Sequence, residues 1–422
     1  MTIGRRLLIM VLTLLMVLGF GVGWSRVHTV EDVRILMPAP FVDATASLVD
    51  RFNAEHQGRI HLSITRGPLI TESISDLAIS SLLLGDPPFD SLLMDVTWLP
   101  KYAEAGWLEP LDRWFDSGDE DALIKGARLG NSYEDHLYRW PLVADVGMLY
   151  WRTDLMEEPP STPDQLIEIS ERLQAAGSAK YGFVWQGRQY EGLSCDFLEI
   201  ISGYGGHWLN PMTGQPELDS AAANQAAQWM ESLLVKKISP RAVTNFAESE
   251  TLQAFKSGDA AFMRNWPYAF AELQKDDSSV RGKVGITTMV AEPGQQPRAT
   301  LGSWGLSLLK GSPHQDATVE AIRYLTSERA QRERFMEKGY TPTQQSLFTD
   351  PALTERSPVL PDIGKALDVA IERPPTPLYA QLSDVLQRRL SAILTGEQPV
   401  KPAMDEAQAG SEVILKSAGG SV

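Results

Sequence analysis

Carboxylates and large aromatic residues recur in this chain where short apolar runs give way to polar or glycine-rich turns. Asp95 ends the run SLLMD and is followed by Trp98, and Asp145 sits in WPLVADVGML. Trp266 and Tyr268 lie in RNWPYAF, Trp304 in LGSWGLS, and Arg373 just before Pro374-Pro375 with Tyr379 beyond. Carboxylates accept at both oxygens, and a guanidinium donates in a fixed fork. Aromatic faces cover apolar surface and exclude water. A polar ligand with apolar faces needs that combination. A pyranose, with C–H faces and a hydroxyl rim, is such a ligand. Each charge-assisted bond to it contributes about 1.5–3 kcal/mol. The same two aspartates also suit a second chemistry. Glycoside hydrolysis uses two carboxylates roughly 5–9.5 Å apart, one with a raised pKa.

Each residue also has a plainer reading. Large aromatics usually fill cores, and of the eleven Trp, Trp107, Trp114 and Trp229 stand at helical apolar spacing and read as packing. In WQGRQYEGLSCDFLE, Tyr190 and Glu191 read as fixing the loop into the next helix, with ligand contact the lesser alternative. Cys195 is the only cysteine, which excludes an internal disulfide, and its apolar helical context reads as a buried, inert thiol. The six His are scattered, with no HExxH and no paired Cys, so neither metal nor cofactor is expected.

The elements that position these residues follow from periodicity. VRILM (33–37) reads as a strand ended by Pro38 and Pro40, and Phe41, Leu48, Val49 and Phe52 give helical spacing after it. Residues 60–64 alternate as a second strand, with Arg66 just after it. Residues 71–84 form a helix stopped by Gly85 and Pro87, and the strand ending at Asp95 follows. This βαβαβ order implies a parallel sheet, at whose carboxyl ends ligands gather. Residues 140–154 read as one extended run. Helices are expected at 163–176, 195–204, 220–236 and 249–257, a strand at 260–265 and another at 302–309. The last third reads as helices at 317–325, 328–336, 363–371 and 382–395.

With 422 residues the chain is too long for one small core, so two α/β lobes are expected. The candidate residues come from the early, middle and late thirds, so the chain should cross between lobes more than once. The first lobe is placed at 30–138 plus about 298–340, the second at 139–297 plus 341–416, with a disordered tail at 417–422. A net charge of −16 argues against nucleic-acid binding, which needs a basic face. Arg5 and Arg6 precede an apolar run from Leu7 to Trp24. Residues 1–26 therefore read as an export signal. The run is also near the roughly 20 residues that span a bilayer, so a cleaved signal peptide and an uncleaved membrane anchor both fit. Either places the body outside the cytoplasmic membrane.

The stretches DVTWLPKYAEAGWLEPL, ADVGMLYWRTDL, WQGRQYEGLSCDFLE, LQAFKSGDAAFMRNWPYAF, LGSWGLSLL and RPPTPLY together closely resemble carbohydrate-specific solute-binding proteins of ABC importers, the maltose/trehalose-binding class. The resemblance spans nearly all of the chain after its N-terminal run. It implies a two-lobed periplasmic-binding-protein fold, type II-like, with a hinge and an interlobe cleft. It implies that Asp95 and Asp145 accept sugar hydroxyls, that Trp266 and Tyr268 form one wall and Trp304 the opposing one. It further implies that Arg373 clamps a glycosyl ring, that backbone at Gly302 and Ser303 donates, and that Arg66 contributes. The implied partners are a small sugar and the importer's permease subunits, and a monomer is expected. The implied ligand is a disaccharide or glucosyl solute such as trehalose, maltose, sucrose or glucosylglycerol. Relatives often carry a Glu in the loop after the first strand. Here that loop reads PAPFVD, with only Asp43 nearby, and no lipid-bearing Cys follows the N-terminal run. An extracytoplasmic glycan-acting enzyme and a sugar sensor are the alternative readings.

Overall fold

The computed structural model describes residues 30–68, 71–85 and 87–417. The N-terminal run and the tail beyond Ser417, and so the expected signal or anchor and most of the expected disordered tail, lie outside the described residues. In the first sheet, the Glu31–Pro38 strand lies between Ile60–Gly67 and Ser91–Asp95 and is parallel to both. The Ala39–Glu55 helix makes the first crossover. It begins with Pro40 in its first turn, where a missing N–H leaves no bond unmade, and buries Phe41, Ala44, Leu48 and Phe52 on one face. All five residues of Ser91–Asp95 are buried, as expected for a strand covered on both sides.

The long Ala299–Leu309 strand completes this sheet. It runs antiparallel to both Ser91–Asp95 and Arg139–Val146. Its register against the latter shifts between Trp304 and Gly305. Gly305 permits the shift, because a Cβ there would lie 2.6 Å from the Arg139 side chain. Such an irregularity bends a strand locally, and Trp304 stands beside it. The second sheet has the order Val284–Thr287, Met148–Arg152, Ala260–Asn265, Tyr181–Val184. The helices Glu191–Gly203, Ala221–Val235, Tyr379–Thr395 and Val400–Ser417 pack on one another beside it. A separate apolar core there includes Phe183, Trp185, Phe197, Trp208 and Leu386.

The chain passes between the sheets three times: at Gly147, between Thr287 and Ala299, and between Ile371 and Tyr379. Two expected boundaries move as a result. The expected extended run 140–154 is two strands, one in each sheet, so Arg139–Val146 belongs with the first sheet and not with the second lobe. Residues 341–371 also do not sit with the second lobe. Ala370–Ile371 pairs with Ala299–Thr300 in the first sheet, and the Leu360–Asp368 helix packs on the Arg139–Val146 strand and the Lys125–Arg128 helix. An apolar run has the same pattern whichever sheet it joins, so the boundary follows from pairing alone. Two short strands, Tyr181–Val184 and Val284–Thr287, and the Val400–Ser417 helix were not anticipated. The two strands are only four residues long, too short for a periodic signal.

Gly147, a crossing of a single residue, is packed shut. A Cβ there would lie 1.7 Å from Glu199 Oε1 and 2.2 Å from Arg264 Nη2. Gly147→Ala is therefore expected to lower unfolding stability by about 1–3 kcal/mol, the scale of overpacking, as measured by urea denaturation. A variant as stable as the wild type would show that this crossing has room to yield.

Candidate functional site

Asp145 is the penultimate residue of the fully buried strand Arg139–Val146, two residues before the crossing at Gly147. It is 7% exposed, and its Oδ1 accepts from the Thr341 hydroxyl at 2.7 Å. Burial pushes its carboxyl up to about 6, and the Thr341 bond only partly opposes that. The phenols of Tyr150, Tyr268 and Tyr340 each lie close enough to feel its charge. Tyr268 comes from the second lobe and Tyr340 from the helical layer on the first, so the carboxylate stands where the lobes meet.

Aromatic walls flank it. On the first lobe, Trp304 packs against Phe41, with ring centroids 5.4 Å apart, and edge-on against Trp98 at 5.5 Å. Phe41 in turn stacks on Tyr340 at 5.0 Å. On the second lobe, Trp266 follows the Ala260–Asn265 strand. Its carbonyl accepts from the Tyr150 hydroxyl at 2.7 Å, and its indole donates to Glu248 Oε1 at 3.2 Å. The ring reaches across to the first sheet, where a Cβ on Gly302 would lie 2.6 Å from it. Trp266, Tyr268 and Trp304 are each only partly buried. Gly302 is thus needed for close approach of the opposing wall.

Asp95 and Arg373 were both expected to face a sugar; in this structure they face each other. Arg373 Nη2 donates to Asp95 Oδ1 and Oδ2 at 2.9 and 3.1 Å and to the Leu301 carbonyl at 3.3 Å. Asp95 Oδ1 also accepts from the Thr97 amide and hydroxyl. Arg373 Nη1 donates to Glu191 Oε1 at 2.7 Å. Glu191 accepts further from the Tyr379 and Ser383 hydroxyls. Burial raises the Glu191 pKa, with Arg373 opposing the rise. The two carboxylates belong to different lobes, so this cluster spans the cleft. Glu72 Oε1 also accepts from the Glu191 amide at 3.3 Å across the same divide. A cavity of about 240 Å³ opens beside the cluster, lined by Glu72, Thr97, Trp98, Glu191, Tyr379 and Ser383 among others.

The remaining expected site residues lie further from this centre. Arg66 is half exposed and forms an ion pair with Asp43 at the carboxyl end of its strand. Ser303 is fully buried. Its hydroxyl accepts from Arg139 at 2.7 Å and donates to the Val143 carbonyl at 2.9 Å, so the side chain is structural. Gly302 and Ser303 pair with Asp145 and Ala144 in the sheet. Phe41, Tyr340, Thr341, Glu248, Tyr379 and Ser383 also stand at the candidate site and are not among the residues expected there from the sequence. Phe41 and Tyr340 each follow a chain-breaking signal, Pro40 and the left-handed Gly339 (φ 73°), which was the clue available. Cys195 is buried, and burial pushes its thiol pKa well up, as its context suggested. Trp229 is core, as expected.

The arrangement is that of a two-lobed binding cleft, and comparison with known proteins agrees. The model of the bacterial extracellular solute-binding protein family matches residues 39–332. A probable ABC transporter-binding protein of Deinococcus radiodurans is 32% identical over 347 residues, covering 79% of this chain and 82% of that one. A maltotriose-binding protein of Pyrococcus abyssi is 25% identical over 323 residues, covering 76% and 66%. The solved structure of maltose-bound T. maritima MalE3 superposes with a TM-score of 0.85 at 31% identity, over 91% of this chain and all of that one. The chain therefore belongs to the bacterial extracellular solute-binding protein family. Its fold is the two-lobed fold of the maltose-binding proteins, and the family and these relatives are binding proteins rather than enzymes. Membership places the body of the protein outside the cytoplasm. Among the described residues no helix is long and apolar enough to cross a membrane.

The raised pKa of Asp145 has a thermodynamic consequence. Its folded pKa is about 6 against an ordinary 3.8, so the native state binds more protons between those values. Stability then falls as pH rises through that window, by roughly 3 kcal/mol in all for this group. Asp145→Asn is expected to stabilise the unliganded protein at about pH 7 by up to roughly 3 kcal/mol, with the gain vanishing near pH 4. Denaturation curves of both proteins across that range check it. A constant difference would mean that Asp145 titrates normally.

Proposed function

We propose that the cleft captures a sugar, a disaccharide or glucosyl solute, and that the closed protein delivers it to the membrane subunits of an ABC importer. The observation that carries this reading is the composition of the cleft around Asp145. A buried carboxylate with one oxygen engaged by Thr341 stands among phenols. Partly buried indoles lie on both sides, Trp304 on one lobe and Trp266 on the other. Aromatic faces suit C–H surfaces and a carboxylate suits hydroxyls. The similarity to maltose-bound T. maritima MalE3 and to a maltotriose-binding protein supports a glycosyl ligand. Trehalose, maltose, sucrose and glucosylglycerol are the candidates. Asp95 and Arg373 serve mainly to hold the lobes in register around the ligand, with Arg66 and Asp43 at the rim.

The glycan-cleaving alternative needs two cooperating carboxylates. Asp145 has the raised pKa such chemistry uses, but Asp95 is held by Arg373 and Thr97. The protein works as a monomer in this reading and binds no nucleic acid, its charge being −16. The Leu7–Trp24 run either holds it at the membrane or is removed on export, which the mass of the mature protein distinguishes.

Calorimetric titration with the four candidate sugars, followed by product analysis on the same samples, tests this reading. Saturable binding without product is expected; turnover, or no binding to any glycoside, would sink it. Trp304→Ala is expected to abolish measurable binding while the fold survives, because the ring is only partly buried. A core Trp would instead cost about 3–5 kcal/mol of stability on the same change. Asp145→Asn exchanges an acceptor oxygen for a donor. It is expected to weaken binding by roughly ten- to a hundredfold, the worth of one charge-assisted bond. Unchanged affinity would remove Asp145 from the ligand.

A further inference from the structure

Behind the sugar-facing wall lies a buried ion cluster that no ligand contact described above uses. Arg264, near the end of the Ala260–Asn265 strand, has a side chain 1% exposed. Its Nε donates to Glu199 Oε2 at 3.0 Å and lies 3.0 Å from Asp196 Oδ1. Nη1 donates to Gln186 Oε1 at 3.1 Å, and Nη2 to Glu199 Oε1. Gln186 is itself held, donating to Thr251 and to the Arg264 carbonyl. Partners on every nitrogen fix the plane of the guanidinium. The guanidinium carbon lies 4.1 Å from the centroid of the Trp266 ring.

Glu199 has a second set of neighbours. Its Oε1 accepts from the Thr300 amide at 3.3 Å. Thr300 is the second residue of the strand by which the chain returns to the first sheet, and its carbonyl accepts from the Gly147 amide at 3.1 Å. The space a side chain would need at Gly147 is filled by Glu199 and Arg264. One carboxylate therefore touches the backbone of two of the three crossings and holds the cation that backs Trp266. A pair that served stability alone would have no need of either position, and apolar residues of equal volume often stabilise as well as a buried pair.

We propose that Arg264 is a positioning residue for Trp266 and that Glu199 couples the position of that ring to the backbone of the interlobe crossings. Movement at Gly147 and Thr300 then changes how the ring is presented to the cleft, so that closure and the final shape of the binding wall are set together. The link to ligand affinity rests on the sugar-binding reading of Trp266; the link between the ring and the crossings does not.

The test separates the two. Protein labelled with 5-fluorotryptophan is observed by ¹⁹F NMR without ligand, and the Trp266 line is assigned from Trp266→Phe. Glu199→Gln removes the charge, and Glu199→Asp withdraws it from the crossings. In both, the Trp266 line is expected to shift, split or broaden, while that of Trp107, which packs against the separate apolar cluster around Trp98 and Tyr102, stays in place. Affinity for maltose is expected to fall about three- to thirtyfold in Glu199→Gln, the scale on which a cation under an aromatic ring acts. Should either carboxylate variant fail to fold, Gln186→Met, which takes one neutral acceptor from the guanidinium, is expected to move the same line. A Trp266 line unchanged in the folded variants would overturn the proposal. A line that moves in a protein binding none of the sugars would uphold the coupling and sink the sugar reading instead.

Discussion

A guanidinium with a side chain 2% exposed must find its counter-charges inside the protein, and Arg373 finds one on each lobe. Asp95 comes from the end of a strand in the first sheet and Glu191 from the first turn of a helix beside the second. The segment that carries Arg373 is itself the last crossing between them. Removing either carboxylate would leave a buried charge short of partners, an expensive state. The interlobe geometry is thereby tied to a short set of bonds with defined lengths. The walls carried by Trp304 and Trp266 meet because this clasp and the close approach at Gly302 hold their sheets together.

The two strand-end aspartates show how environment divides roles between identical side chains. Asp95 has an adjacent cation and two donors from Thr97, so its charge is accommodated and its oxygens are occupied. Asp145 has one hydroxyl donor and no adjacent cation, so burial dominates and raises its pKa. In the proposed reading, a ligand bringing hydroxyl donors would relieve that strain on Asp145. Stabilisation withheld from the empty protein and supplied by the ligand is a physical route by which binding favours closure.

Buried polar clusters recur where the chain changes lobe. Arg373 lies on the last crossing, and Glu199 with Arg264 on the first two. Ion pairs in low dielectric are directional and intolerant of displacement, unlike apolar packing, which slides. A hinge built on them has few allowed positions.

Much of this was legible in the residues. The βαβαβ opening, the strand-end positions of Asp95 and Trp266, and the buried character of Cys195 follow from local pattern and chain-breaking residues, whereas Trp304, expected where its strand begins, lies in the middle of Ala299–Leu309 and is paired on both sides. Those features depend on neighbours a few positions away, which is the range over which periodicity and turn chemistry act. What the sequence could not settle depends on pairs far apart in it. Arg373 and Asp95 are 278 positions apart, and Arg373 and Glu191 182. Nothing local to any of them says that they saturate one another. The split of residues 140–154 between two sheets, the Phe41–Tyr340 stack and the seating of Glu199 against Gly147 are likewise contacts between distant segments. By itself the sequence determined which residues with chemistry to offer stand on or just after strands. Only the tertiary structure decided which of them spend that chemistry on each other and which do not, because a charge or hydrogen-bonding group is committed by whatever lies within about 3 Å of it in space.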